Sequence, residues 1–140
     1  MIRRILFALA FALPLAASAQ VYNQWPTQQS SFSYEIAPAT PAAVQAKASA
    51  GVITSVQCFN ILSTPVYVKL FNATSVTLGS TSATLQFMCP GNTAGAGFVI
   101  SFPLQLYFST GIEYAVTGGI SNTDNTAITA NSVIINIGYN

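Results

Sequence analysis

The chain has almost no ionisable side chains. Its acids are Glu35, Glu113 and Asp124, its bases are Arg3, Arg4, Lys47 and Lys69, and it has no histidine. Charged residues make up 5% of the sequence, against about 25% in an average globular protein. The absence of histidine excludes a Ser–His or Cys–His nucleophile pair. A Ser–Lys arrangement on Lys47 or Lys69 would need a third group to orient it, and the pattern supplies none. Lys69 stands among apolar strand residues and is expected on the solvent side of its strand. Glu113, between Ile112 and Tyr114, is likewise expected to alternate outward, which leaves no carboxylate pair for glycoside hydrolysis. No catalytic residue and no cofactor is expected.

Other scarcities narrow the partners. A net charge of +1 offers no basic face to neutralise phosphates, so nucleic acid is not an expected partner. Two cysteines without histidine are too few ligands for zinc. The stretch "SNTDNT" (121–126) holds one carboxylate, Asp124, where a hard cation wants several. It reads as an Asx-type turn in which Asp124 and Asn122 bond nearby backbone. Gly118-Gly119 lacks the order of a phosphate loop and reads as a turn. Past the N-terminus every apolar run is short, so no membrane span is expected once the leader is removed.

What is present begins with that leader. "MIRR" is a positive start, "ILFALAFALPLAA" an apolar run, and "ASAQ" offers small residues at Ala17 and Ala19. This is the pattern of an export signal over 1–19, cut between Ala19 and Gln20. The apolar run is shorter than the ~20 residues of a spanning helix, and Pro14 interrupts it. Export places the protein in the periplasm, outside the cell or on a virion surface. The remaining chain carries two lysines against three acids, a formal side-chain charge of −1. Export also favours a disulfide between Cys58 and Cys89, the alternative being two buried free thiols.

Residues 20–50 are rich in Pro, Ala, Gln and Thr and read as an extended arm, in which "SFSYEI" is suited to one edge strand. Its aromatics Tyr22, Trp25, Phe32 and Tyr34 are the candidate interface anchors. From Gly51 the texture turns to short period-two runs separated by turn residues. The inward sets expected are Val52, Thr54, Val56 and Cys58; Val66, Val68 and Leu70; Leu85, Phe87 and Cys89; and Phe98, Ile100 and Phe102. Leu104, Leu106 and Phe108, then Ile112, Tyr114 and Val116, then Val133, Ile135 and Ile137 complete them. The expected fold is all-β: an antiparallel sandwich of seven or eight strands over 51–140, jelly-roll or immunoglobulin-like, with the arm ahead of it.

The series "GVITSVQCFN", "VYVKLFNATSVTLGST", an apolar strand ending at Pro90, and "FSTGIEYAVTG" before an Asp/Thr/Ala-rich loop resembles a known family. The family comprises small β-sandwich structural or accessory proteins of tailed bacteriophages and prophages. The resemblance covers about Gly51 to Tyr139. It implies a virion component of the capsid-decoration or fibre kind and carries no catalytic residue. The export signal and the cysteine pair are departures from that family. Expected partners are copies of the chain or the proteins of a virion or surface lattice. A secreted module binding glycans or a host surface is the alternative. The long uncharged loop after Gly119 fits a surface that becomes covered, because Ser, Thr and Asn bond without the desolvation penalty of ions.

Overall fold

A computed structural model describes residues 31–38 and 40–140. The leader, the cleavage point between Ala19 and Gln20, and the aromatics Tyr22 and Trp25 lie outside the described residues. Every regular element described is a strand: β1 (Ser31–Ile36), β2 (Val44–Lys47), β3 (Gly51–Asn60), β4 (Val66–Phe71), β5 (Leu85–Cys89), β6 (Ala96–Phe108), β7 (Ile112–Thr117) and β8 (Val133–Tyr139). Among the described residues no helix is long and apolar enough to cross a membrane.

The strands form two antiparallel sheets. The first has the order β1-β8-β3-β6 and the second β2-β7-β4-β5. The pairings are nested. β4 pairs β5, β3 pairs β6, β2 pairs β7 and β1 pairs β8, as in one long hairpin. The hairpin is then rolled so that β8 also meets β3 and β7 also meets β4. Only the β4–β5 connection stays within a sheet; every other link crosses between sheets. This is jelly-roll topology, and it decides between the two sandwich types the sequence allows.

Alternation explains the core. Val66, Val68 and Leu70 of β4 and Ile112, Tyr114 and Val116 of β7 face Val56 and Cys58 of β3 and Ile135 and Ile137 of β8. Burying one such aliphatic side chain contributes about 1.5–3 kcal/mol. Phe87 sits 6.0 Å from both Phe98 and Phe102, filling the gap near the β5 and β6 edges. Two bulges break the simple phase. In β3 the register shifts between Ile53 and Ser55, so Ile53 enters the core where Val52 and Thr54 were expected. Opposite that point β6 runs from Ser101, paired with Ser55, to Leu106, paired with Ile53. The intervening residues include Pro103, which has no N–H to give, and Gln105 at φ 57°. This bulge throws Leu104 outward to 97% exposure, although alternation puts it inside with Leu106 and Phe108.

The sandwich also takes in part of the segment read as an arm. β1 is the edge strand that "SFSYEI" suggests, paired only with β8. β2 is four residues long and bulged between Gln45 and Lys47, too short and irregular to show a period. Pro38 and Pro41 lie in the passage from one sheet to the other.

Cys58 of β3 and Cys89 of β5 form a disulfide, with their Cα atoms 6.1 Å apart. It joins the two sheets through the core and closes a loop spanning 31 positions. Loop-closure entropy gives such a bridge about 3–4 kcal/mol of stabilisation. Replacing both cysteines by alanine should therefore lower the unfolding free energy by about 2–4 kcal/mol in guanidinium titrations, with the far-ultraviolet spectrum of the folded state retained. An unchanged midpoint would mean that the bridge does not restrain the unfolded chain.

Candidate interaction face

The outer faces of the two sheets are treated differently by the chain. On the second sheet, Lys69 and Phe71 of β4 and Glu113, Ala115 and Thr117 of β7 point away from the core, yet all five are buried. The chain covers them itself. The β4–β5 connection lays Val76, Leu78 and Ala83 over Phe71 and Ala115. Gln45 of β2 reaches across Glu113, its Nε2 donating to Glu113 Oε1 at 3.4 Å and to the Thr74 carbonyl at 2.9 Å. The solvated position expected for Glu113 is thus replaced by a covered one, because the neighbouring edge strand and its loop close over it.

Lys69 departs from expectation in the same way. It does point outward, but the loop after Gly119 lies over it. Lys69 Nζ donates to the carbonyls of Ser121 and Asp124. Gln86 Nε2 donates to the Ile120 carbonyl at 2.8 Å and the Ala83 amide to the Asn122 carbonyl at 3.0 Å, fastening the loop on both sides. Burial lowers the Lys69 pKa, and the charge of Asp124 opposes that shift. The Asp124 carboxylate in turn holds the loop closed. It accepts from the Gly119 amide (2.8 Å), the Thr126 amide (3.0 Å) and the Thr126 hydroxyl (2.6 Å), the Asx-type turn anticipated from the sequence. Burial would raise the Asp124 pKa, but these bonds from Thr126 and Gly119, with one from Thr117, outweigh it and hold the carboxyl below its ordinary value. A Cβ at position 119 would stand 2.4 Å from Asp124 Oδ1, so a larger residue there would displace the carboxylate. The loop is uncharged apart from Asp124 because its backbone carbonyls face an ammonium. It is itself a cover, and Ser121, Asn122 and Thr123 remain exposed.

The first sheet has no such cover among the described residues. The register places Phe32, Tyr34 and Ile36 of β1 beside Gly138, Asn136 and Ile134 of β8. These continue to Ser55, Gln57 and Phe59 of β3, and then to Ser101, Val99 and Gly97 of β6. No residue on this surface carries a charge. Phe32 is 69% exposed, Val99 68% and Tyr34 56%, with Ile36 and Phe59 also open. At the centre Asn136 Nδ2 donates to Gln57 Oε1 at 3.2 Å, so the two amides partly satisfy each other. The Phe32 ring lies over Gly138, where a Cβ would come within 3.2 Å of it. Of the anchors proposed from sequence, Phe32 and Tyr34 are therefore neighbours on one open face. Ile36 joins them by the alternation of β1 itself, and Phe59, Val99 and Ile134 only through strand order. Each strand's phase marks them as outward; nothing in the sequence says which strands are adjacent.

Other apolar side chains also stand open, among them Leu104 and Tyr107 of β6, Met88 of β5 and Ile120 after β7. Two shallow grooves of about 460 and 530 Å³, one beside Tyr67 and Ile128 and one beside Val76 and Leu78, have no charged residue in their walls. No group of three or more His, Cys, Asp or Glu side chains able to hold a metal ion occurs among the described residues.

No protein-family model and no curated protein matches the sequence. Among solved structures, the coat protein of Tobacco streak virus is similar at 7% identity, over 79% of this chain and 87% of that one, with a TM-score of 0.36. Similarity at that level carries no functional weight.

The clamp on the second sheet makes a direct prediction. Asp124→Ala removes the acceptor for two amides and a hydroxyl. Hydrogen exchange at Gly119 and Thr126 should quicken, and the unfolding free energy should fall by about 1–3 kcal/mol. The pH dependence follows from the depressed carboxyl: the contribution is present above the ordinary value of 3.8 and is lost as pH falls through the lower folded value. Undiminished protection at both amides in the variant would show that the carboxylate does not hold the loop.

Proposed function

We propose that the protein is a non-catalytic structural subunit that assembles through the outer face of its first sheet, most simply with copies of itself. The observation that carries this is the asymmetry of the two outer faces. One is largely covered by the chain's own loops, and the other, among the described residues, presents aromatic and aliphatic side chains to water without a single charge. Exposed apolar patches mark interaction sites in soluble proteins, and here Ile36, Ile134 and Phe59 run unbroken across three strands beside Tyr34 and Phe32. The absence of charge favours a copy as partner, because a face of one sign would repel its own kind. The central amide pair meets part of its own hydrogen-bonding need, which lowers the cost of drying the face.

Jelly-roll sandwiches serve in viral shells and in lectins, so topology is compatible with a virion role without assigning one. A capsid-decoration or fibre-like component remains the finer reading, supported by the resemblance over about Gly51 to Tyr139. Export, supported by the N-terminal pattern, places the assembly on a surface outside the cytoplasm, where a disulfide is permitted. A non-enzymatic role is supported by the lack of histidine and by the structural uses found for the ionisable groups on the second sheet.

Sedimentation velocity over a concentration series tests this reading. The wild-type chain should associate, and Tyr34→Lys or Phe59→Lys should weaken association at least about tenfold, the equivalent of ~1.4 kcal/mol. Leu104→Lys, on the β6 bulge, should leave association unchanged. A wild-type chain that stays monomeric throughout, or weakening by the Leu104 variant alone, overturns it.

A further inference from the structure

The strand that carries Phe32, Tyr34 and Ile36 outward carries Ser33 and Glu35 inward. Glu35 pairs with Ile135 and Ser33 with Ile137, and both isoleucines are core residues. Ser33 has a partner there, its Oγ lying 2.9 Å from the Tyr114 hydroxyl of the second sheet. Glu35 is less well served: its Oε2 is buried and has no hydrogen-bond partner among the described residues. A carboxyl in this position is tolerable when neutral and costly when ionised.

We propose that β1 is a pH-gated strand, seated on the sandwich while Glu35 is protonated and released from it as Glu35 ionises. Three features of the fold make release of this strand the natural response. β1 is an edge strand held by one ladder, to β8. Its outer residues are already in water, so lifting it exposes only one further face. Among the described residues no cation pairs with Glu35. The ionisable groups facing Glu35 are Tyr114 of β7 and, beyond it, Tyr139 of β8. β2 turns Val44 and Ala46 toward the core, while its Lys47 runs past Gly51 beside Ile112.

Burial pushes the Glu35 carboxyl up to about 7, which sets the range in which the gate acts. It also pushes the Tyr114 hydroxyl up to about 12; the Ser33 bond opposes that shift and the charges of Glu35 and Tyr139 add to it, so Tyr114 stays neutral throughout. Because the folded value lies above the ordinary 4.5, the stabilising effect is complete below 4.5 and is lost as pH rises through about 7. The gate acts within a single chain. Its consequence for assembly rests on the reading above: release of β1 takes Phe32, Tyr34 and Ile36 out of the shared face, so association should weaken on the alkaline side.

Hydrogen exchange on the full chain, followed by mass spectrometry and corrected for the intrinsic rate at each pH, reads the gate directly. At a dilution where light scattering shows monomer, protection of β1 relative to β3 should fall at least about tenfold between about pH 5.5 and about pH 8.5. Glu35→Gln, neutral at every pH, should keep β1 protected on the alkaline side. Protection of β1 that does not change with pH in the wild type overturns the gate, as does a Glu35→Gln variant that loses protection in parallel with the wild type. Should that variant fail to fold, a ¹³C titration of the wild-type Glu35 carboxyl decides: a midpoint near the ordinary 4.5 overturns the gate and one near 7 supports it. A chain that is monomeric at every concentration yet shows the β1 transition refutes the assembly reading alone.

Discussion

A two-sheet sandwich has four faces, and the described residues cover the two inner ones and much of a third. The two inner faces cover each other, with the Cys58–Cys89 bridge running between them. The outer face of the second sheet is covered by the β4–β5 connection and by the loop that follows β7. The outer face of the first sheet has no cover among the described residues. The nested pairing imposes this distribution, because the β4–β5 connection and the loop after Gly119 both lie over the second sheet. The first sheet instead presents β1, β8, β3 and β6 side by side, and the Phe32, Tyr34, Phe59 and Val99 side chains stand open on them.

Scarcity of charge makes each ion informative. Lys69 and Asp124 secure one loop in two ways, the ammonium from the sheet through backbone carbonyls and the carboxylate from within the loop through backbone amides. Glu113 is sheltered under Gln45. Glu35 is the exception, a carboxyl turned inward with one oxygen unanswered. In a chain with abundant surface charge such a group would be one among many. Here it is one of three acids, and it sits on an edge strand held by one ladder, where a change in electrostatic cost has a structural effect.

Much of this was legible in the residues. The period-two runs past Gly51 marked the strands, and the phases of Cys58 and Cys89 pointed both thiols inward, where the bridge forms. The failures have physical causes. Ile53 replaces Val52 and Thr54 in the core, and Leu104 leaves it, because facing bulges in β3 and β6 shift the phase by steps that period-two counting cannot contain. β2 escaped notice because four residues with a bulge have no period to show. Lys69 and Glu113 were correctly turned outward, but an outward residue is solvated only if nothing lies above it, and the cover comes from segments distant in sequence. Phe32 and Tyr34 were recognised as anchors from their type. Their neighbours Phe59 and Val99 were not, because adjacency of β1, β8, β3 and β6 is a property of the roll and not of any one strand.

Among the described residues, the outer face of the first sheet is the broad surface of this jelly roll that no other segment of the chain covers. Hydroxyl-radical footprinting of the native protein, read by mass spectrometry over a range of concentrations, examines the bare face most directly. Self-association through it requires that Phe32, Tyr34 and Phe59 become shielded together as concentration rises, while Met88 and Leu104 stay reactive. Unchanged reactivity of the first three in an associated sample, or shielding confined to Met88 and Leu104, would contradict it.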